Sequence, residues 1–280
     1  MPPFPIILIR GGGDLASGTA LRLVRAGFEV VITEIAAPLA VRRTVSFAEA
    51  VYDGRVRVEG VPGVLAAGPA EAVKTLAVGG IPIIVDPELD LLEKPGGLEI
   101  CAVVDARLLK RPVPPLEAPF VVGLGPGFTP GVNCDAVVET MRGHHLGRVY
   151  FDRPAAADTG LPEGSPDRVV RAPANGAVQP AVAIGDLVEL GERIGAVVDD
   201  SGGEIPILAG IGGVVRGMVR PGIRVEAGVK IGDIDARADP ALCRLVSDKA
   251  LAVAGGILEA LLSKPDLRRL LAATAEAPWG

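Results

Sequence analysis

An internal repeat constrains the fold of this chain more than any other feature of its sequence. A series of apolar, glycine and acidic positions that begins at Ala172 and Gly176 recurs 37 positions later, beginning at Ala209 and Gly213. Each copy has the pattern of three short strands separated by turns at glycine, and one such copy cannot bury its apolar face alone. Two copies are therefore predicted to pack together as a flattened β-barrel or sandwich over residues 168–236.

The sequence before the repeat alternates short apolar strands with helical patterns. Ile6–Ile9 is followed by Leu15–Ala26, and Val30–Thr33 by Ser46–Tyr52. Alternation of this kind indicates crossover connections and a mainly parallel sheet. Further elements are predicted as strands at Cys101–Asp105, Phe120–Val122 and Arg148–Phe151 and a helix at Val132–Arg142.

The predicted fold class is α/β. It consists of a Rossmann-like doubly wound parallel sheet, followed by an all-β barrel-sandwich domain and C-terminal helices. The predicted domains are an α/β domain at 1–152, a linker rich in Pro, Asp and Gly at 153–167, the repeat domain at 168–236 and a helical segment at 237–280.

One helix of the helical segment is predicted to have a smooth face, that is, a face formed largely by small residues. Ser247 is predicted to cap it, and Gly255 and Gly256 lie within it. Because a glycine inside a helix lowers helix stability by about 1 kcal/mol relative to alanine, a close neighbour is expected at this face. Another helix or the α/β sheet is the first expectation, and a ligand or a second copy of the chain in a homo-oligomer is the alternative.

Composition excludes several classes of function. The chain has 28 basic and 34 acidic residues, a net charge of -6, and only 3% aromatic residues, so a nucleic-acid partner is not expected. Its odd cysteine count, Cys101, Cys134 and Cys243, predicts a reducing, cytoplasmic location without disulfides. The apolar run near the N-terminus ends at Arg10 after a strand's length, so neither a secretion signal nor a membrane span is predicted.

A glycine-rich turn after the first strand is the clearest candidate for a binding site. Gly11, Gly13 and Ala16 match the spacing G-x-G-x-x-A at a strand-to-helix turn, where the glycine backbone, Gly12 included, can approach a pyrophosphate. Glu34 ends the second strand, at the place where an acid would bind a ribose hydroxyl. Asp14 adds a negative charge beside this site, so a turn needed only for packing remains the alternative.

Four more residues are predicted to contribute to the same crevice. Arg42 and Arg43 are a pair suited to bidentate binding of phosphate, and they are expected to be exposed; a solvated surface pair is the alternative. Gly125 and Gly127 belong to a second glycine turn that follows strand Phe120–Val122.

Cys134 is the candidate catalytic residue. It falls near the first turn of the predicted helix Val132–Arg142, where a helix dipole would favour the thiolate, whereas an inert buried thiol is the alternative. No metal is expected at His144 and His145, because adjacent side chains diverge and no third ligand occurs nearby. The hydrolase motifs built on a serine elbow, a Walker lysine or a zinc helix are missing from the sequence.

Residues 171–235 resemble the biotinyl/lipoyl barrel-sandwich family. The resemblance lies in the pattern A-P-x-x-G-x-V followed by V-x-x-G-D-x-V-x-x-G-x-x-I. Members of that family carry their prosthetic group on a lysine at the hairpin tip between the copies, but the tip here, Asp199–Glu204, contains no lysine. The resemblance therefore implies a scaffold or docking role, with no biotin or lipoyl group.

The chain as a whole resembles the YqeB-type accessory proteins of selenium-dependent molybdenum hydroxylases. Four separated segments carry the resemblance: Ile9–Gly18, Arg42–Ala50, Glu139–Val149 and Ser247–Ala252. The α/β half is also similar to accessory proteins that deliver sulfurated molybdenum cofactor to xanthine dehydrogenases.

This resemblance implies a maturation factor that binds a dinucleotide or molybdenum pterin cofactor and contacts a molybdenum hydroxylase subunit. It implies no particular reaction, so whether the chain is an enzyme stays open. The glycine turn and Glu34 support one alternative, an NAD(P)-dependent oxidoreductase.

Overall fold

The chain forms two compact units. A computed structural model describes residues 5–158 and 166–274. The first unit comprises residues 1–38, 47–159 and 246–280, and the second comprises residues 39–46 and 160–245. Residues 159–165 of the predicted linker and 275–280 of the predicted helical segment lie outside the described residues.

The first unit contains nine of the described strands and six α-helices. The strands are β1 (Ile6–Arg10), β2 (Glu29–Glu34), β3 (Arg55–Val58), β4 (Val61–Leu65), β5 (Ile81–Val85), β6 (Ile100–Asp105), β7 (Val121–Leu124), β8 (Ala136–Val138) and β9 (Val149–Tyr150). The helices are α1 (Asp14–Arg25), α2 (Ala50–Asp53), α3 (Pro69–Leu76), α4 (Asp90–Glu93), α5 (Asp248–Ser263) and α6 (Pro265–Thr274). A short 3-10 turn at Phe47–Glu49 precedes α2.

The nine strands form one mixed sheet in the order β3-β4-β5-β2-β1-β6-β7-β8-β9. The central strands pair in parallel, whereas β3 with β4 and β8 with β9 pair antiparallel at the two edges. The chain runs from β1 to β2 on one side of β1, and β6 lies on the other side, so the strand order reverses direction between β1 and β6.

The predicted fold class, a Rossmann-like doubly wound parallel sheet with a barrel-sandwich domain and C-terminal helices, is wrong. The sheet is mixed rather than parallel, and a doubly wound sheet needs a helix in each crossover. Residues 106–120 and 125–135, which connect β6 to β7 and β7 to β8, are all described and contain no helix.

The predicted helix at Val132–Arg142 is the clearest local error. Its residues form turns and the buried strand β8 instead. A short apolar run such as Ala136–Val138 has no periodicity that separates a buried strand from a helix. Pairing with β7 decides the outcome, because Ala136 lies beside Val122 in a parallel ladder.

The smooth face of α5 packs inside the first unit. Ser247 caps the helix by accepting a hydrogen bond from the N–H of Ala250, as predicted. A Cβ atom added to Gly18 of α1 would lie 2.7 Å from Cβ of Ala250, and one added to Gly256 would collide with the carbonyl oxygen of Gly147. Close contact with α1 and with the turn before β9 therefore explains these small residues.

The second unit is all-β. Its strands are β10 (Val169–Arg171), β11 (Gly176–Pro180), β12 (Leu187–Val188), β13 (Arg193–Val198), β14 (Glu204–Leu208), β15 (Gly213–Met218), β16 (Arg224–Val225) and β17 (Lys230–Asp235). They form two four-stranded antiparallel sheets, β10-β17-β15-β12 and β14-β13-β11-β16. Both sheets contribute to one hydrophobic cluster.

Each copy of the repeat contributes strands to both sheets. β11, β12 and β13 begin 37 residues before β15, β16 and β17, and each sheet contains strands from both copies. Gly176 and its counterpart Gly213 both have positive φ angles, +151° and +154°. Since a side chain is strained there, the backbone itself requires glycine at this repeated position.

The neighbouring glycines of α5 provide a test of this packing. Gly256→Ala should lower the free energy of unfolding by about 2 kcal/mol, because the backbone of Gly147 cannot move aside easily. Gly255→Ala is the matched control: no described atom lies within 4 Å of its added Cβ, and the helix should gain about 0.5–1 kcal/mol. Urea denaturation measures both, and equal effects would contradict the packing of α5.

Candidate functional site

The glycine turn lies where β1 passes into α1. Gly13 is the N-cap residue of α1, and no described atom lies within 4 Å of a Cβ added to it. Gly12 is enclosed instead: a Cβ there would lie 2.8 Å from the backbone nitrogen of Ala48, whose N–H donates to the carbonyl of Gly12. Of these two glycines, Gly12 serves packing and Gly13 leaves space for a ligand.

Glu34, which was predicted to bind a ribose hydroxyl, contacts the glycine turn directly. Its Oε2 accepts a hydrogen bond of 2.7 Å from the N–H of Gly12, and its Oε1 accepts one of 2.8 Å from the N–H of Ile35. The carboxylate therefore occupies a backbone donor that a pyrophosphate would otherwise use. Gly11 has φ +94° and donates its N–H to the carbonyl of Thr33.

Three polar residues lie side by side at the carboxyl ends of the central strands. Arg10 ends β1 and pairs in register with Thr33 of β2 and Asp105 of β6. Asp105 is fully buried and accepts two hydrogen bonds of 2.9 and 2.6 Å from Arg107. Arg10 lies 3.9 Å from the same carboxylate and donates to the carbonyl of Pro87.

This polar row adjoins the glycine turn. A Cβ added to Gly11 would lie 3.7 Å from Cγ of Arg107, so the arginine side chain passes beside the turn. Burial lowers the pKa of Arg10, the positive charge of Arg107 lowers it further, and Asp105, Glu88 and Asp86 oppose this shift. The row thus brings together two guanidinium groups and one buried carboxylate beside Gly11.

The second glycine turn follows β7, two strands from β1. Gly125 has φ +80° and donates to the carbonyl of Val138. Gly127 is closely enclosed, because an added Cβ would lie 2.6 Å from the carbonyl oxygen of Leu109. Since β1, β6 and β7 are parallel, Gly125 and the first glycine turn share one edge of the sheet.

Cys134 lies at the opposite edge of the sheet, where the parallel strands β7 and β8 begin. Asp135, the next residue, donates its N–H to the carbonyl of Val121 at the start of β7. Burial and then the charge of Asp135 raise the pKa of the Cys134 thiol to about 12. The expected thiolate-favouring helix terminus does not form, so the geometry gives this cysteine no enhanced nucleophilicity.

Arg42 and Arg43 belong to the second unit. Arg42 is only 6% exposed, contrary to the expected surface position, and it donates to the carbonyls of Leu242 and Leu245. Arg43 donates to the carbonyl of Met218 at 2.7 Å. These contacts hold residues 39–46 within the all-β unit, a structural task that the sequence pattern did not indicate.

Asp14, the remaining candidate, is the first residue of α1 and is partly exposed. His144 and His145 are exposed, and Nδ1 of His145 lies 3.2 Å from the hydroxyl of Tyr150. In the described parts of the chain, no three His, Cys, Asp or Glu side chains are grouped to hold a metal ion. Within the same parts, no helix is long and apolar enough to cross a membrane.

Four residues at this edge of the sheet were not predicted from the sequence: Arg10, Thr33, Asp105 and Arg107. A usable signal was present, because three apolar strands each end in polar residues: I-I-L-I-R, V-V-I-T-E and A-V-V-D. Carboxyl ends of neighbouring parallel strands meet at one edge, where open α/β sheets bind ligands.

Comparison with known proteins identifies one curated relative. The chain is similar to the uncharacterized protein YqeB of Escherichia coli (strain K12), with 46% identity over 263 residues. The alignment covers 92% of this chain and 47% of YqeB, so the chain spans about half the length of this relative. This similarity supports the YqeB-type resemblance. No protein-family model matches the chain.

Solved structures give only weak similarities. A succinylglutamate desuccinylase/aspartoacylase from Rhodobacter sphaeroides is 16% identical, with 83% of this chain and 85% of that chain covered and a TM-score of 0.27. The ectoine utilization protein EutE (DoeB) from Ruegeria pomeroyi is 19% identical over 30% of this chain and 27% of its own, with a TM-score of 0.23.

The burial of Arg42 leads to a stability prediction. Arg42→Ala should lower the free energy of unfolding by about 2–3 kcal/mol, because a buried guanidinium is removed from two partly buried hydrogen bonds to carbonyls. Arg171→Ala is the matched control, since Arg171 also donates to a carbonyl, that of Gly228, but is exposed; about 0.5 kcal/mol or less is expected. Similar losses in urea denaturation would show that the burial of Arg42 is unimportant.

The raised pKa of Cys134 leads to a reactivity prediction. With a pKa of about 12, about one thiol in ten thousand is ionised at pH 8, so iodoacetamide should alkylate native Cys134 very slowly. The denatured chain is the control and should react rapidly. Peptide mass spectrometry measures both rates. Rapid native alkylation with an apparent pKa below 8 would restore Cys134 as a candidate nucleophile.

Proposed function

We propose that this chain is an accessory protein that binds a molybdenum pterin cofactor in its dinucleotide form and supplies it to a selenium-dependent molybdenum hydroxylase subunit. The observation that carries the proposal is the edge of the central sheet, where Arg107 passes beside Gly11 of the glycine turn and shares the carboxylate of Asp105 with Arg10. The accessory role and the hydroxylase partner come from the resemblance to YqeB-type accessory proteins, and the similarity to YqeB is consistent with that resemblance.

The residues at this edge fit the diphosphate of such a cofactor. The N-terminus of α1 offers positive dipole charge beside Gly13, where no side chain obstructs an approaching group. Arg10 and Arg107 supply guanidinium groups, which bind phosphate oxygens in pairs. The bound cofactor itself would supply the molybdenum chemistry, and the protein would orient it and protect its phosphates.

Arg42 and Arg43 no longer carry this proposal, because their hydrogen bonds are used within the second unit. Glu34 likewise gives little support to the alternative of an NAD(P)-dependent oxidoreductase. Both of its carboxylate oxygens accept backbone N–H groups rather than facing a ribose. We therefore favour a binding role over hydride transfer.

Calorimetric titration tests the proposal. We expect molybdopterin cytosine dinucleotide to bind more tightly than cytidine diphosphate, NAD or NADP, because the pterin adds contact area. Gly13→Leu should weaken binding at least tenfold, since its side chain fills the open space beside α1.

Gly68→Leu is the matched control for that variant. Gly68 is the N-cap residue of α3, and a Cβ there also meets no described atom within 4 Å. It should bind like the unmodified protein. Preferential binding and turnover of NAD or NADP would favour the oxidoreductase, and no binding of any of these compounds would overturn both functions.

A further inference from the structure

We propose that Arg10, Thr33 and Arg107 form a subsite for a single phosphoryl group at the carboxyl ends of β1, β2 and β6. The inference deepens the proposed function, on which it rests, by assigning the residues that contact one phosphate of the cofactor. The site lies at the reversal of strand order between β1 and β6.

Strand register places the donors on one face of the sheet. Thr33, Arg10 and Asp105 are paired across adjacent parallel strands, so their side chains leave the sheet in the same direction. Two residues earlier on each strand, Val31, Leu8 and Val103 occupy the same face and form part of one hydrophobic cluster. The polar row is therefore the end of an otherwise apolar surface.

Two buried donors in this row lack hydrogen-bond partners within the described chain. They are Nε of Arg10 and Oγ1 of Thr33, and Thr33 is only 1% exposed. A buried polar group without a partner is destabilising, which suggests that something outside the chain bonds to it. Because Nε of an arginine can only donate, that group must be an acceptor, such as a phosphate oxygen.

The local charges favour an anion as that acceptor. Asp105 accepts hydrogen bonds from Arg107 and lies near Arg10, so one carboxylate faces two guanidinium groups. Asp86 is engaged elsewhere, because its oxygens accept the N–H groups of Asp90 and Leu91 at the start of α4. Glu88 is exposed to solvent, which screens its charge.

The next strand closes one side of the row. Gly123 of β7 pairs with Asp105, and a Cβ on Gly123 would overlap the ring of Phe128, which covers it. On the other side, Thr33 pairs with Ile84 of β5. Gly11 follows Arg10 at the end of β1, and Arg107 passes beside it. A phosphoryl group held by Arg10 and Thr33 would therefore have the glycine turn as its neighbour, as a diphosphate requires.

Thr33→Val is the decisive variant, tested with inorganic phosphate by phosphorus NMR titration. Valine has the same shape but no hydroxyl, so phosphate affinity should fall about tenfold. The melting temperature should stay equal or rise, because the lost hydroxyl has no partner in the described chain. Arg10→Lys keeps the charge but loses Nε, and it should also weaken phosphate binding about tenfold.

Thr19→Val is the matched control. Thr19 is also fully buried, but its hydroxyl donates to the carbonyl of Leu15 within α1. This variant should lower the melting temperature and leave phosphate affinity unchanged. Acetate, titrated in parallel, should bind more weakly than phosphate if the site is built for a phosphoryl group.

The outcomes separate the subsite from the proposed function. The subsite is overturned if phosphate does not bind, if Thr33→Val and Arg10→Lys bind it normally, or if acetate binds equally well. It is also overturned if the pterin dinucleotide binds both variants as tightly as the unmodified protein, although the accessory function would then stand. Phosphate binding that depends on both residues, with no dinucleotide binding, supports the subsite and overturns the accessory function.

Discussion

The buried carboxylate of Asp105 is the constraint on which the functional edge of the sheet depends. An isolated ionised group at a fully buried position would be destabilising by several kcal/mol, so charge must be brought to it. Arg107 bonds to it through two nitrogens, and Arg10 arrives from the adjacent strand. The chain after β6 must therefore turn back beside Gly11, where a larger residue would lie against Arg107. The need to pair one buried charge thus holds the ends of β1 and β6 and the glycine turn close to one another.

Glu34 changes how an anion can bind at that turn. Its carboxylate accepts the N–H of Gly12, so in the free protein this backbone donor already has a negative partner. A phosphate approaching the same donor would meet Glu34 at close range and be repelled. Arg10 and Thr33 are on the neighbouring positions of β1 and β2, and each retains a buried donor without a described partner. Electrostatics therefore favours phosphate binding at the polar row over binding at Gly12, which departs from the usual role of a glycine-rich turn.

Part of this architecture could be predicted from sequence, and the reasons for the failures are physical. The strand, glycine turn and helix around Gly11 depend on local pattern, and so does the repeat, in which 37-residue spacing reproduces three strands in each copy. The place of Glu34 at the end of β2 could also be predicted, whereas its hydrogen bond to Gly12 could not. In contrast, β8 is decided by pairing with β7, which a run of apolar residues cannot reveal. The burial of Arg42 depends on carbonyls about 200 positions away along the chain.

Residues 39–46 show why such distant contacts matter for the whole chain. This segment lies in sequence between β2 and β3 of the first unit, yet it belongs to the second unit. Arg42 and Arg43 donate to carbonyls at Leu245 and Met218, and the hydroxyl of Thr44 donates to the carbonyl of Cys243. A Cβ added to Gly217 would lie 2.8 Å from the carbonyl oxygen of Val41, so the segment packs too closely for a larger residue at that position. Because its partners extend to Leu245, the second unit can be completed only after residue 245 has been synthesised. Closing so long a loop is entropically unfavourable, and the partly buried hydrogen bonds of the two arginines help to offset it.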